Sequence, residues 1–240
     1  MLPKNPAPLT QKQIFMAKQV MDIRPGKGMT LSQSNEHLRV SLHGAKTSSR
    51  SLNIDPTRDL LNFEITQGCQ VVPVDKRTSI PKRIRENLKK RGIEDPNKKY
   101  KKLGLEPKIR TVANFILGGS RDQMHRLAFG NQKVNLERGA DNSSIRRMPE
   151  IENWAKDMYR FMSDRFGEKN IAAFVVHLDE TNPHIHCTVL PITEQNKFSW
   201  KQVMVGENNS KFEYQKRTTK HHNDIEEIKE KYGLERGDQI

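Results

Sequence analysis

The run "HLDETNPHIH", from His177 to His186, gathers three of the chain's eight histidines together with two carboxylates. It is flanked by the β-branched and apolar stretches "NIAAFVV" and "CTVLPI", with the turn signal "TNP" between the histidines, so it reads as a hairpin of two strands. Side chains alternate faces along a strand, which puts His184 and His186 on one side and turns Ile185 into the core. His177 ends the preceding strand, and a turn through Pro183 brings it opposite that pair, giving three imidazole nitrogens for one ion. Glu180 lies in the turn as a weak fourth ligand, a partner that fixes a histidine tautomer, or a proton acceptor. Asp179, one residue earlier, is expected to face another way. Three nitrogens leave positions open on the ion, which could then polarise a phosphoryl oxygen or activate water. Imidazole suits Zn, Mn, Fe, Ni and Cu alike, so the ligands do not name the metal. A zinc peptidase is disfavoured because these histidines lie on strands, without a helical H-E-x-x-H.

The rest of the chain must position this cluster. At 240 residues it is long enough for a core without staples, and we expect one α+β domain. Only 34% of residues are hydrophobic and mean hydropathy is −0.83, so the surface is extensive. The two cysteines, Cys69 and Cys187, suit a reducing compartment and argue against a disulfide framework or a cysteine zinc site. A formal charge of +13 and a pI near 9.8 point to a polyanionic partner, nucleic acid before an anionic membrane. No apolar run approaches the roughly 20 residues that span a bilayer, and the start lacks a secretory segment, so the expected location is the cytoplasm.

Along the chain, "IFMAKQVMDI" (Ile14 to Ile23) predicts a first strand closed by "RPGKG", followed by a short helix around Asn35 to Leu42 and a second strand near Asn62 to Thr66. Residues 81–102 are dense in Lys and Arg and predict a basic helical insertion ending in a mobile loop. "IRTVANFILGG" reads as a buried strand. Apolar residues at Ile151, Trp154, Met158, Phe161, Met162 and Phe166 mark an amphipathic helix ended by Gly167. The tail, residues 207–240, reads as charged and helical. The order of elements implies an antiparallel sheet covered on one face by helices.

"HLDETNPHIH" resembles the H-x-D-E-x-x-P-H-x-H motif of the MobV-type relaxases, the plasmid mobilisation and recombination (Mob/Pre) proteins of the HUH endonuclease group. "DPTRDLLNFE" (Asp55 to Glu64) is similar to that family's second segment, with Pro56, Arg58, Asn62 and Glu64 in order, and "YGLERG" falls where the family has it. The resemblance implies a sheet of about five strands with the histidines at its centre. It also implies metal-dependent, strand-specific nicking of single-stranded DNA at an origin of transfer, through a covalent 5′-phospho adduct that leaves a free 3′-OH. His177, His184 and His186 would hold a divalent ion, manganese or magnesium before zinc, nickel or cobalt, with Glu180 supporting the metal or the nucleophile. Origin DNA would be the main partner, with a coupling protein of a conjugative secretion system as another. The whole of 1–240 would be one bacterial, cytoplasmic relaxase domain.

Relaxases of this type carry an H-N-x-R segment, and its histidine is the candidate nucleophile. Here the stretch is "SNEHLRV": counting back from Arg39, Glu36 takes the histidine position and His37 lies one residue closer. On a helix that shift rotates the side chain by about 100°. His37 is the leading nucleophile and Arg39 a phosphate ligand beside it; His43, Glu36, Tyr100 and Tyr214 are the alternatives. Arg39, Arg50, Arg58, Asn62, Lys82, Arg83, Arg85, Lys89, Lys90 and Arg91 are the expected DNA contacts, joined by Lys18, Arg24, Lys27 and Lys201, with Phe198 and Trp200 as stacking or packing aromatics. Competing readings are an HUH replication initiator or transposase, which would use a tyrosine, and a non-catalytic DNA-binding protein with a structural ion.

Overall fold

The computed structural model describes residues 17–40, 53–205 and 226–236. Strands β1 (Ala17–Gly26), β2 (Phe63–Thr66), β3 (Gln70–Pro73), β4 (Val112–Gly119), β5 (Ile171–His177), β6 (His184–Val189) and β7 (Leu234–Arg236) form one sheet in the order β3-β2-β5-β6-β4-β1-β7. Every neighbouring pair is antiparallel except β1 with β7. The α+β class and central antiparallel sheet are as expected. The sheet is wider than about five strands, because β3 returns on β2 and the tail supplies β7.

The α-helices of the described residues are α1 (Leu31–Leu38), α2 (Ile80–Lys90), α3 (Lys98–Lys102), α4 (Arg121–Phe129), α5 (Pro149–Phe166) and α6 (Glu226–Lys231), with short helical turns at Pro56–Leu61, Glu168–Asn170 and Lys201–Val205. Predicted from its apolar spacing, α5 sets Ile151, Trp154, Met158, Met162 and Phe166 against Phe174 and Val176 of β5, Ile185 and Cys187 of β6 and Phe115 and Leu117 of β4. Trp154 is completely buried there, and truncating it to alanine costs about 3–5 kcal/mol.

Helices cover both faces of β5, not one. The residues Ala173 to His177 are all buried, so the opposite face also needs a lid. Leu38 of α1 and Ile80 and Ile84 of α2 supply it over Ala173 and Val175. The basic helix is therefore packed into the fold by its Ile80, Ile84 and Leu88 stripe. Nor is its continuation a mobile loop: the buried Asn97 side chain donates to Lys27 O and Ile109 O and accepts from the N–H groups of Lys108 and Ile109, closing residues 97–109 into a compact excursion that bears α3.

Two boundaries moved for physical reasons. β1 runs through Pro25 instead of stopping before it; β7 pairs only with residues 17–19, so Pro25 lies on an edge where its missing N–H costs no ladder bond. α1 begins at Leu31, not near Asn35, because Thr30 and Gln33 form a capping box. Of the tail, α6 and β7 are described; the remainder of the predicted helix lies outside the described residues. Among the described residues no helix is long and apolar enough to cross a membrane.

Candidate metal centre

The β5–β6 ladder sets His177 directly across from His184. Ring centroids lie 5.3 Å apart for His177 and His184, 4.8 Å for His177 and His186, and 4.7 Å for His184 and His186. Ligand atoms of His177, Glu180, His184 and His186 all fall within 4.8 Å of one another. At metal–ligand distances of about 2.0–2.3 Å, opposed donors stand about 4.0–4.6 Å apart, so this set fits one divalent ion with slight closure. The chemistry of the donors agrees. Burial, then the charges of neighbouring His177 and Arg39, push His186 well below the ordinary histidine range, and burial with His177 lowers His184 as well. Both rings therefore offer lone pairs at neutral pH. Burial opposes ionisation of Glu180, but His177, His184 and Arg39 outweigh it and hold its carboxyl down to about 2. His177 now contacts Arg39 Nη2 through Nδ1 at 3.0 Å and His37 O through Nε2 at 2.7 Å, and an ion would replace one of these contacts.

The connection between the two strands makes no ladder of its own, yet every carbonyl from Leu178 to Asn182 meets a donor. Arg58 Nη1 donates to Leu178 O at 2.5 Å and its Nη2 to Glu180 O at 3.2 Å. Asp55 N donates to Asp179 O at 2.7 Å, His125 Nε2 to Thr181 O at 2.9 Å, and His184 Nδ1 to Asn182 O at 2.8 Å. The last bond makes Nε2 the lone-pair nitrogen of His184, and in the metal-free site it accepts from His186 Nε2 at 2.8 Å.

Asp179 does face away from the histidine pair, into the protein. It is fully buried and accepts two hydrogen bonds from Arg39, at 2.7 and 2.9 Å, and one from Asn62 at 2.8 Å. The same Arg39 guanidinium also donates to Glu180. Burial of Asp179 works against its charge, and Arg39 overcomes that, keeping the carboxyl below its usual range.

Helix α1 delivers the remaining groups. It ends at Arg39, whose φ of 52° is left-handed, a conformation that costs a non-glycine residue about 1 kcal/mol or more. That reversal swings Arg39 onto Asp179 and leaves His37, in the last turn, stacked on His186 with centroids 4.2 Å apart. Glu36 is exposed. Nδ1 of His37 is buried without a hydrogen-bond partner. Burial, with the charges of His177 and Arg39, lowers the pKa of His37 to about 3, so the ring is neutral.

Several groups expected on DNA are spent inside the protein. Arg39 has 6% of its side chain exposed and Arg58 2%, the latter being committed to Asp55, Leu178 and Glu180. Asn62 uses its amide on Asp179 and its carbonyl on Leu178 N. Arg83 grips Glu64 through both terminal nitrogens, at 2.7 and 3.0 Å, and Arg91 ties Asn87, Asn170 and Asn196 together. These five are internal fasteners, and the correction has one cause: a buried acid or carbonyl demands a donor before solvent does. Lys82, Arg85, Lys89 and Lys90 are exposed. Trp200 lies under Arg110 at 5.4 Å and packs on the core, and Phe198 packs with Leu190 and Ile192. Arg50, His43 and Tyr214 lie outside the described residues.

Sequence reasoning missed Asp55, Asp179 and His125 as supports of the site. "DPTR" carried a signal for the first, since Asp before Pro-Thr caps the 3-10 turn Pro56–Leu61. Nothing local marks His125.

Residues 144–239 match the family model described as Mob_Pre, plasmid recombination enzyme. A plasmid recombination enzyme of Bacillus thuringiensis is 25% identical over 158 residues, covering 65% of this chain and 27% of the relative. A type 3 plasmid recombination enzyme of Staphylococcus aureus is 34% identical over 98 residues, 40% of this chain and 21% of the relative. The chain thus spans about a quarter of the length of these curated relatives. Among solved structures, the Mn-bound MobM relaxase domain (MOBV; Mob_Pre) in complex with plasmid pMV158 oriT DNA shares the fold, with a TM-score of 0.62, 21% identity, and 92% of this chain and 90% of that chain covered.

Proposed function

We propose that this chain, whose residues 144–239 match the Mob_Pre family model of plasmid recombination enzymes, is a member of that family and a relaxase: a metal-dependent nickase and strand transferase acting on single-stranded DNA at an origin of transfer. The observation that carries the reading is the convergence of His177, Glu180, His184 and His186 on one point beside the neutral ring of His37.

A divalent ion, when bound by these four residues, supplies Lewis-acid polarisation of the scissile phosphoryl group. Manganese is our first choice, being the ion of the MobM complexes, with magnesium next. His37 is the nucleophile. Its ring needs no base to become reactive, because burial already keeps it neutral. One ring nitrogen bonds to phosphorus, the bond from phosphorus to the 3′ oxygen breaks, and the leaving oxygen takes up the proton that the ring sheds. The product is a 5′-phosphohistidine adduct and a free 3′-OH, and the reverse attack rejoins the strand. Arg39 acts as a positioning residue through Asp179, Glu180 and His177, not as a phosphate ligand. The exposed Lys82, Arg85, Lys89 and Lys90 track the DNA backbone.

The reading takes residues 1–240 as one relaxase domain working on origin DNA in the bacterial cytoplasm, with a coupling protein as its later partner. The test is mass spectrometry of the covalent product formed on an origin oligonucleotide with Mn2+. An adduct on His37 is expected. Modification of a tyrosine instead would move the protein to the replication-initiator class, and salt-sensitive binding with no nicking under any metal would make it a binding protein.

A further inference from the structure

The geometry points to His125 as a positioning residue of the metal centre, one that sets His184 from a helix on the far side of the ligand loop; the inference rests on the metal reading above. α4 starts directly after β4, and its His125 reaches across to Thr181 O. The carbonyl can only accept, so Nε2 of His125 carries the proton. Thr181 O and Asn182 N belong to one peptide plane, and the next carbonyl along, Asn182 O, accepts Nδ1–H of His184. Two adjacent peptides thus link the imidazole of α4 to the imidazole of β6. The first orients the second, and the second decides which nitrogen of His184 keeps its lone pair.

The same junction holds the loop twice. Asn182 Nδ2 donates to Gly119 O, the last residue of β4, while His125 follows in the first turns of α4. Fastening at Leu178, Asp179 and Glu180 comes from residues 55–62, Arg39 and His177, on the other side. Between Glu180 and His184 the loop would be anchored by Asn182 alone if His125 were absent, and Glu180 and His184 are both ligands. His125 is otherwise spare in the fold: the ring is partly exposed and leans edge-on against Phe129 at 5.4 Å.

Thr181 is exposed, so water can satisfy its carbonyl when the imidazole is removed. Folding is then expected to tolerate the loss, while the orientation of the peptide does not. This separates positioning from a merely structural role.

The experiment is calorimetric titration of Mn2+ into metal-free wild type, His125→Phe and His125→Gln, with melting of each metal-free protein and 15N histidine spectra. His125→Phe keeps the ring against Phe129 but has no donor, and is expected to weaken Mn2+ binding about tenfold and to mix the His184 tautomers. His125→Gln retains an N–H at similar reach and is expected to recover most of the affinity, with all three proteins melting alike. Unchanged Mn2+ affinity in His125→Phe, equal loss in both variants, or a fall in metal-free melting that accounts for the loss would overturn the role of His125 while leaving the metal centre standing. A wild type that takes up no Mn2+ would bring down the metal reading itself, and this inference with it.

Discussion

Residues 177–186 and helix α2 are the two places where chemistry-bearing side chains crowd together, and they resolve in different ways. In the ligand loop almost every polar group is directed inward, onto Arg39, Arg58, Asn62 or a neighbouring peptide. In α2 the cations divide: Arg83, and Arg91 just beyond the helix, are consumed by Glu64 and a set of asparagines, whereas Lys82, Arg85, Lys89 and Lys90 face solvent. The cations taken inside are both guanidiniums, planar and many-donored, while all three of these lysines and Arg85 stay outside. Counting basic residues therefore overstates the solvent-facing charge of α2 and misses its part in holding β2.

Substitutions can break this contrast, and the most severe should fall in the loop. Replacing His184 and His186 together by alanine is expected to abolish Mn2+ uptake and reduce nicking by about three orders of magnitude or more; cleavage that persists would sink the metal centre. Asp179→Ala takes two of the buried Arg39's hydrogen bonds and one of Asn62's, leaving Glu180 as the only carboxylate on Arg39, and should cost about 3 kcal/mol in denaturant unfolding, against less than about 0.5 kcal/mol for Lys90→Ala. Arg83→Ala leaves Glu64, 3% exposed, without its cationic partner and with only the Asp75 N–H to meet its charge, and about 3 kcal/mol of stability should go with it; an unchanged midpoint alongside weakened DNA binding would return Arg83 to the surface class.

Acid tests the loop in another way. The folded pKa of His37 is depressed to about 3, and His184 and His186 are depressed too. The unfolded chain thus binds more protons between about pH 6.5 and 3, and metal-free protein should be most stable above pH 6.5 and weaken progressively below it. A flat stability profile from pH 7 to 4 would contradict the neutral, buried cluster. The smallest effect belongs to α2: replacing Lys89 and Lys90 by alanine should lower the log–log salt slope of single-strand binding by about 0.7 for each lysine, whatever the sequence bound.

What was legible in the sequence was what repeats with a period. The alternation of His184, Ile185 and His186 gave the ligand face, the α5 stripe gave the core, and the turn at Pro183 placed His177. The placement of His37 beside His186 despite the shifted register depends on where α1 stops, and a left-handed Arg39 is decided by tertiary contacts, not by its neighbours in the chain. Asp179 looked idle for a similar reason. Its partners Asn62 and Arg39 are 117 and 140 residues away, beyond the reach of any local pattern. The apolar stripe of α2 was present in the sequence all along, masked by the charge around it.

Those separations also concern timing. A centre whose ligand loop is clasped by Arg39 from near one end of the chain and by residues 55–62 cannot close until strands synthesised late have found segments synthesised early. The arrangement of His177, Glu180, His184 and His186 therefore cannot form in a growing or partly folded chain, and it is completed only with the last long-range contacts.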